Sequence, residues 1–402
     1  MPKLDSSVKN VVNETIAPLG ISQIRFFAQK FAKIPGIIKL TLGEPDFNVP
    51  EHVKAAAIKS IEDNDSHYSE QRGTMGLRKA VSGYLKKQFD VEYDPESEII
   101  VTIGATEAVF VSLAAIINPG DKIIVPTPTF ALYLPIIKVL GGIPIQVDTT
   151  PDNFRLTGKK LAEVIEREGE DNVKALILNF PGNPTGFVYS EDQLKEIVDV
   201  VKDKPMYVMS DEIYAELTYG RKHVSLAKLL PGKTILINGL SKSHAMTGYR
   251  IGYVAAPAEF VVNAGKMHAY TVTAPSNPAQ YAAQEALENG IDDPIAMRKI
   301  YQERRDYIVE QLNDIGYKTQ LPEGAFYTFS AIPEKFGLND VEFATKLAEE
   351  GKVGVTPGSA FGKGGENHFR MSYASSMEDI QEAMKRLREF TEKLENEINI
   401  LI

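Results

Sequence analysis

Short apolar runs rich in β-branched residues alternate with helically patterned segments from about residue 98 to 256. The runs are Ile99-Ile100-Val101, Ile123-Ile124-Val125, Ile143-Pro144-Ile145-Gln146-Val147, Ala175-Leu176-Ile177-Leu178, Tyr207-Val208-Met209, Ile235-Leu236-Ile237 and Ile251-Gly252-Tyr253-Val254. Each is bounded by Gly, Pro, Asn or Asp. Strands covered by helices on both faces read this way, so the pattern predicts an α/β sheet. The end of the chain differs. Ser376-Met377-Glu378-Asp379 has the form of a helix start, and Ile380, Met384, Leu387, Leu394 and Ile398 then recur at helical spacing. The expected organisation is an N-terminal segment (1–45) packing with a small α+β domain (291–402), and a large domain (46–290) between them.

Length agrees with that division, since single cores stop growing beyond roughly 250–300 residues and this chain has 402. Hydrophobic residues make up 43% and charged ones 24%, ordinary values for a globular protein. Lys+Arg is 44 against Asp+Glu 54, a net charge of −10. That argues against nucleic acid or an anionic membrane as a partner. With no cysteine there is no disulfide framework and no thiolate nucleophile or ligand. The six histidines form no HxH or HExxH pair, so no metal site is expected. The N-terminus lacks the apolar core of a signal peptide, and no apolar run approaches the ~20 residues of a membrane span. The expectation is a soluble cytoplasmic protein.

Four segments carry candidate chemistry. Thr102-Ile103-Gly104-Ala105-Thr106-Glu107-Ala108 follows a predicted strand and opens a helix, where free N–H groups suit a phosphate. A plain strand–Gly–helix junction reads the same. Asn179-Phe180-Pro181-Gly182-Asn183-Pro184-Thr185-Gly186 is a rigid loop at a strand's end, where ligands collect in open α/β sheets. A simple turn is the alternative. Asp211 closes the strand expected over 206–210, with Tyr214 close behind; a helix N-cap would look alike. Finally, Asn238-Gly239-Leu240-Ser241-Lys242-Ser243-His244 sets a lysine among small residues straight after a buried strand, and Arg250 follows eight residues later.

In this order and spacing the four segments resemble the fold-type I pyridoxal-phosphate enzymes, specifically the class I/II aminotransferases. The resemblance extends through Leu42-Gly43-Glu44-Pro45-Asp46-Phe47, Glu323-Gly324-Ala325-Phe326-Tyr327, Pro357-Gly358-Ser359-Ala360-Phe361-Gly362 and Arg370-Met371-Ser372-Tyr373-Ala374. It implies a mostly parallel seven-stranded sheet in the large domain, a smaller α+β domain, pyridoxal 5'-phosphate as cofactor, and amino-acid and 2-oxo-acid substrates. Lys242 would be the Schiff-base lysine and proton shuttle, which needs an amine of lowered pKa. Asp211 would hold the pyridine nitrogen, and Tyr214 and Asn183 the phenolic oxygen. Phe130 would stack on the ring, where relatives place Trp or Tyr. The phosphate would lie at Gly104, Ala105 and Thr106, on Ser241 and on Arg250. Tyr68 matches a tyrosine that reaches this phosphate from the neighbouring subunit, which implies a homodimer with shared sites. Arg370 would clamp the substrate α-carboxylate, helped by Gly43 and Asn183.

The chain departs from the pattern in places. Gly239 stands where many relatives have Ser. Thr106 stands where some aspartate-specific relatives have a Lys for the distal carboxylate. Arg72, unusual in the loop after Tyr68, could supply that cation instead, although a plain surface arginine is the favoured reading. The closest resemblance is to bacterial aromatic amino-acid and N-acetyl-diaminopimelate aminotransferases, with Ile38–Phe47 and Tyr373–Met377 favouring the aromatic group. The expected reaction is therefore transamination of an L-amino acid, aromatic by preference, with a 2-oxo acid such as 2-oxoglutarate. An aspartate or N-acetyl-diaminopimelate donor, or β-elimination on the same residues, is the alternative. A ligand sensor fused to a DNA-binding module fits poorly with the acidic net charge.

Overall fold

The computed structural model describes residues 1–9 and 11–401. Its strands are β1 (Ile38–Lys39), β2 (Ile99–Ile103), β3 (Lys122–Thr127), β4 (Ile143–Asp148), β5 (Val173–Asn179), β6 (Tyr207–Asp211), β7 (Thr234–Gly239), β8 (Ile251–Ala255), β9 (Tyr327–Ala331), β10 (Val353–Gly354), β11 (Thr356–Pro357) and β12 (His368–Ser372). Strands β2 to β8 make one seven-stranded sheet in the order β2-β8-β7-β6-β5-β3-β4. All seven apolar runs lie in it. Neighbours from β4 to β7 are parallel, while β8 runs antiparallel to both β2 and β7. Every residue of β7 and β8 is buried, which is why these strands carry no polar alternation.

Helices cover both faces, and their starts are set locally. The helix Glu191–Val201 begins on Ser190, whose hydroxyl accepts from Gln193 N while the Gln193 side chain accepts from Ser190 N. The helix Met75–Phe89 begins on Thr74, which accepts from Leu77 N. Such caps satisfy N–H groups that a helix cannot pair internally.

The parallel run of β5, β6 and β7 brings Asn179, Asp211 and Gly239 to one edge of the sheet. Strand β2 ends at the same edge, because Ile103 pairs with Ile251 and Gly239 with Gly252. Asp211 is the last residue of β6, opposite Asn179, so it belongs to the ladder one residue beyond the strand expected from sequence and is not a helix cap.

A second apolar cluster gathers Phe27, Phe31 and Leu40 with side chains from Met297 to Leu394. It packs the antiparallel sheet β11-β12-β9 against the helices Asp293–Ile315 and Met377–Leu401. In the last helix Ile380, Met384, Leu387 and Leu394 are buried, the face that their spacing predicted. Strand β1 pairs in parallel with β10, and Ser372 N donates to Leu40 O, so the chain's beginning is stitched to its end. Among the described residues, no helix is long and apolar enough to cross a membrane.

Candidate active site

Lys242 follows β7 in a tight segment, where His244 N and Met246 N both donate to Leu240 O. Its amine donates to the Gly43 carbonyl at 2.6 Å and lies 5.9 Å from the Tyr214 ring centre and 5.8 Å from that of Phe326. Burial brings its pKa down from 10.5 to about 8. Glu44 opposes that shift, and Arg250 and Arg370 add to it. A free amine is therefore accessible near neutral pH.

Asp211 is 4% exposed at the end of β6. Tyr133 donates to its Oδ2 at 2.6 Å, and Ile213 N donates to its Oδ1 at 3.2 Å. Burial raises the carboxyl to about 6, against the opposing pull of the Tyr133 hydrogen bond. The next residue anchors the turn. Glu212 accepts from Ser210 Oγ, Ser225 Oγ and Leu226 N, with His223 Nε2 2.7 Å away, all buried. A carboxylate so fully partnered fixes the backbone that aims Asp211 and Tyr214.

Arg370, on β12, is 1% exposed. Its Nη1 donates to Asn183 Oδ1 at 2.9 Å and its Nη2 to the Thr41 carbonyl. The guanidinium lies 4.4 Å from the Tyr327 ring centre and 4.8 Å from that of Phe361. Its Nε is buried with no hydrogen-bond partner among the described residues, so this cation carries an unused donor that an anion would satisfy. Asn183 is itself held by Asn179 Oδ1, which accepts its backbone N–H at 3.0 Å, while Asn179 Nδ2 donates to Asp211 O.

A second anion corner lies at the end of β2. Gly104 has φ +72° and begins the helix Gly104–Ala114, leaving the N–H groups of Ala105 and Thr106 in the first turn. A Cβ on Gly104 would strike Arg250 Nη2, so the guanidinium sits directly on the helix start. Ser241 is buried nearby along the chain from Lys242. A cavity of about 650 Å³ opens here, lined among others by Ile103, Tyr249, Arg250, Ser276 and Pro278. Donors of this kind, on a cradle that a side chain would fill, fit a phosphate dianion.

The protomer thus brings Lys242 into one polar region with Tyr214 and Gly43, and Arg370 together with Asn183. Phe130 packs edge-on to Tyr133 at 5.8 Å between ring centres. Tyr68 stands apart, 90% exposed. Arg72 also faces elsewhere, donating to the carbonyls of Glu96 and Ser97, which removes it as a distal cation in this protomer. Sequence reasoning missed Tyr133, Thr41 and Tyr327. Thr41 acts through its carbonyl and leaves no side-chain signal. A tyrosine inside an apolar segment reads as core; only the position of Tyr133 beside Phe130 hinted otherwise.

The family model Aminotransferase class I and II matches residues 35–387. The chain is 43% identical to the probable N-acetyl-LL-diaminopimelate aminotransferase of Bacillus subtilis over 96% of its length and 97% of that protein's. It is 40% identical to an aspartate aminotransferase of Pyrococcus abyssi, covering 91% of this chain and 94% of that one. The structure of an aromatic aminotransferase from Pyrococcus horikoshii superposes with a TM-score of 0.85 at 38% identity, over 91% of this chain and 99% of the other.

Proposed function

The chain belongs to the class I and II aminotransferases, pyridoxal-phosphate enzymes, and from that premise we propose that its amino donor is an aromatic L-amino acid and its acceptor a 2-oxo acid such as 2-oxoglutarate. The observation that carries the aromatic reading is the apolar cluster beside Arg370. Ile24, Phe154, Phe329 and Phe361 are buried together, with Phe130 packed against them, and Phe361 meets the Arg370 guanidinium. A substrate whose carboxylate sits on Arg370 presents its side chain near these rings. An aromatic side chain gains from that contact, whereas a second carboxylate would lose solvation without a compensating cation.

In this reading the phosphate of the cofactor lies at the N–H groups of Ala105 and Thr106, with Ser241 and Arg250. Phe130 covers a ring face, Asp211 holds the ring nitrogen, and Tyr214 and Asn183 reach the phenolic oxygen. When bound, pyridoxal phosphate supplies a cationic ring that accommodates the electron pair left when the substrate Cα loses its proton. Lys242 would hold the cofactor through its amine, and as a free amine of pKa about 8 it would be the base that receives the substrate Cα proton. Arg370, with its unused Nε donor, would orient the α-carboxylate next to Asn183 and Gly43, and so fix which face of Cα meets Lys242. Asp211 must be ionised to hold a ring-nitrogen proton, and Tyr133 favours that state.

The active unit is a homodimer, with Tyr68 of the partner subunit entering the cavity beside Arg250. The support is the contrast between an exposed ring and a tethered loop. Asn277 Nδ2 donates to the carbonyls of Asp65 and His67, and Gln280 Nε2 to Ser69 Oγ. Residues 46–290 act as the cofactor-binding domain, and 291–402 with 1–45 as the smaller one. The cytoplasm is the setting of this reaction.

Mixing the loaded enzyme with single amino acids and following the loss of the cofactor's visible band tests the donor. Phenylalanine or tyrosine is expected to react at least about 10-fold faster than aspartate. Faster reaction of aspartate or N-acetyl-LL-diaminopimelate would refute the aromatic reading. Pyruvate and ammonia formed from a cysteine S-conjugate without a 2-oxo acid would indicate β-elimination instead.

A further inference from the structure

We infer that Tyr327 is a positioning residue for this reaction, tying the guanidinium that takes the substrate carboxylate to the phenol that faces the cofactor. It opens β9 and is 1% exposed. Its hydroxyl lies 2.7 Å from that of Tyr214, and the Arg370 guanidinium sits over its ring at 4.4 Å. A third contact completes the arrangement. A Cβ on Gly43 would strike the Tyr327 hydroxyl, so this oxygen also abuts the residue whose carbonyl receives the Lys242 amine. One side chain therefore touches the carboxylate-binding cation, the cofactor-facing phenol and the backbone that holds the base.

The direction of the hydroxyl pair follows from proton counting, and it rests on the reading above that Tyr214 faces the phenolic oxygen. Tyr214 has one proton. If that proton is donated to the cofactor, the Tyr214 oxygen can only accept, and Tyr327 must be the donor. A phenol that accepts one hydrogen bond donates a stronger one. Tyr327 thereby helps Tyr214 stabilise negative charge on the phenolic oxygen, and so favours the unprotonated form of the link to Lys242. The charged and titratable groups around this chain stay in place when Tyr327 is altered. They are Asp211 and Arg370 near Tyr214, and Glu44, Arg250, Arg370 and Asp211 near Lys242, with Tyr133 behind Asp211. The Arg370 contact gives the ring a separate task, which is to hold the guanidinium in place over its face at 4.4 Å.

The two tasks separate by substitution. Tyr327→Phe keeps the ring and removes the hydroxyl. The pH titration of the cofactor's visible absorption should move up by about 0.5–1 pH unit, the size that one neutral hydrogen bond supplies. At neutral pH kcat should fall while KM for the amino acid stays nearly constant. Tyr327→Leu removes the ring as well and should raise KM in addition. In a Tyr214→Phe background, Tyr327→Phe should produce no further shift of the titration, which a merely structural role would not predict. An unchanged titration in Tyr327→Phe, or an equal shift with Tyr214 already replaced, would overturn the inference. Failure of the underlying site reading has a different signature. After borohydride reduction the wild-type enzyme would then carry no cofactor mass on the peptide containing Lys242, and the inference falls with it.

Discussion

Asp211 keeps its charge in a place that resists it, and one hydroxyl decides how well. Burial has already raised the carboxyl to about 6, and Tyr133 is the largest force in the other direction. Removing that hydroxyl in Tyr133→Phe raises the Asp211 pKa further, so the ionised form is lost at higher pH. The acid limb of the kcat/KM profile should therefore shift upward by about 0.5–1 unit, with little change above pH 8. A rate–pH profile of the loaded variant reads this directly, and an unmoved acid limb would exclude Tyr133 as the tuning group. Arg370→Lys tests a different property. The ammonium keeps the charge but lacks the planar fork that spans Asn183, Thr41 and a carboxylate, and kcat/KM should fall by about 100-fold. Legibility at this scale followed chemistry rather than position. A lysine and an aspartate at or just past the ends of buried strands stood out because such residues need a reason to be there, and Arg250 stood out by following that lysine. Arg370, in the middle of β12, was marked by the family resemblance alone. Tyr133 and Tyr327 did not stand out, because a buried phenol is ordinary core until its hydroxyl partner is known.

Among the elements, most strands of the large sheet were readable because both of their faces are buried, which favours short apolar runs. The edge strand β4, with Ile143 and Gln146 exposed, was readable from its β-branched residues alone. Strand β1 was not, since two residues, Ile38 and Lys39, are too few for any periodicity; pairing with β10 defines it. The loop that follows is set by tertiary contacts. Asp46 takes both terminal nitrogens of Arg304 at 2.8 Å, and Glu44 accepts from Thr247, which together fix Gly43 before Lys242. The helix Glu51–Glu62 is fastened differently. His52 lies 2.9 Å from both Glu285 and Asp293, at the meeting of two further helices. Against the opposing effect of burial, these carboxylates hold the His52 pKa above 6.5, while Glu285 is held below 4.5, chiefly by Asn289. The staple thus contributes fully below the unfolded pKa of the histidine, is lost as pH rises through its higher folded value, and fades again where Glu285 becomes protonated. His52→Gln should lower Tm at pH 5.5–6 by more than it does at pH 8.5. Thermal melts at the two pH values check this; equal losses would mean that packing alone explains the residue.

For the whole molecule, the question is which surfaces complete the site. Tyr68 is exposed on a loop held by Asn277 and Gln280, and His268 Nε2 lies 2.6 Å from the Gln71 carbonyl within the same loop. If Tyr68 serves the neighbouring subunit, two defective chains can repair one another. A Tyr68→Ala chain supplies Lys242 and a Lys242→Ala chain supplies Tyr68, so a mixed dimer has one intact site. Random reassortment of equal amounts should restore about a quarter of wild-type activity, well above either variant alone. No gain on mixing, with exchange verified by mass, would rule out the shared site. The link between the chain's two ends has a consequence in time. Arg370 finds its backbone partner at Thr41, 329 residues earlier, and β1 waits for β10. At synthesis rates of about 5–20 residues per second, Thr41 is made roughly 15–65 s before Arg370. During translation the contact of Arg370 with Thr41 is therefore among the last features to form, and on the proposed roles an unfinished chain would hold its cofactor-binding residues without the means to select a substrate.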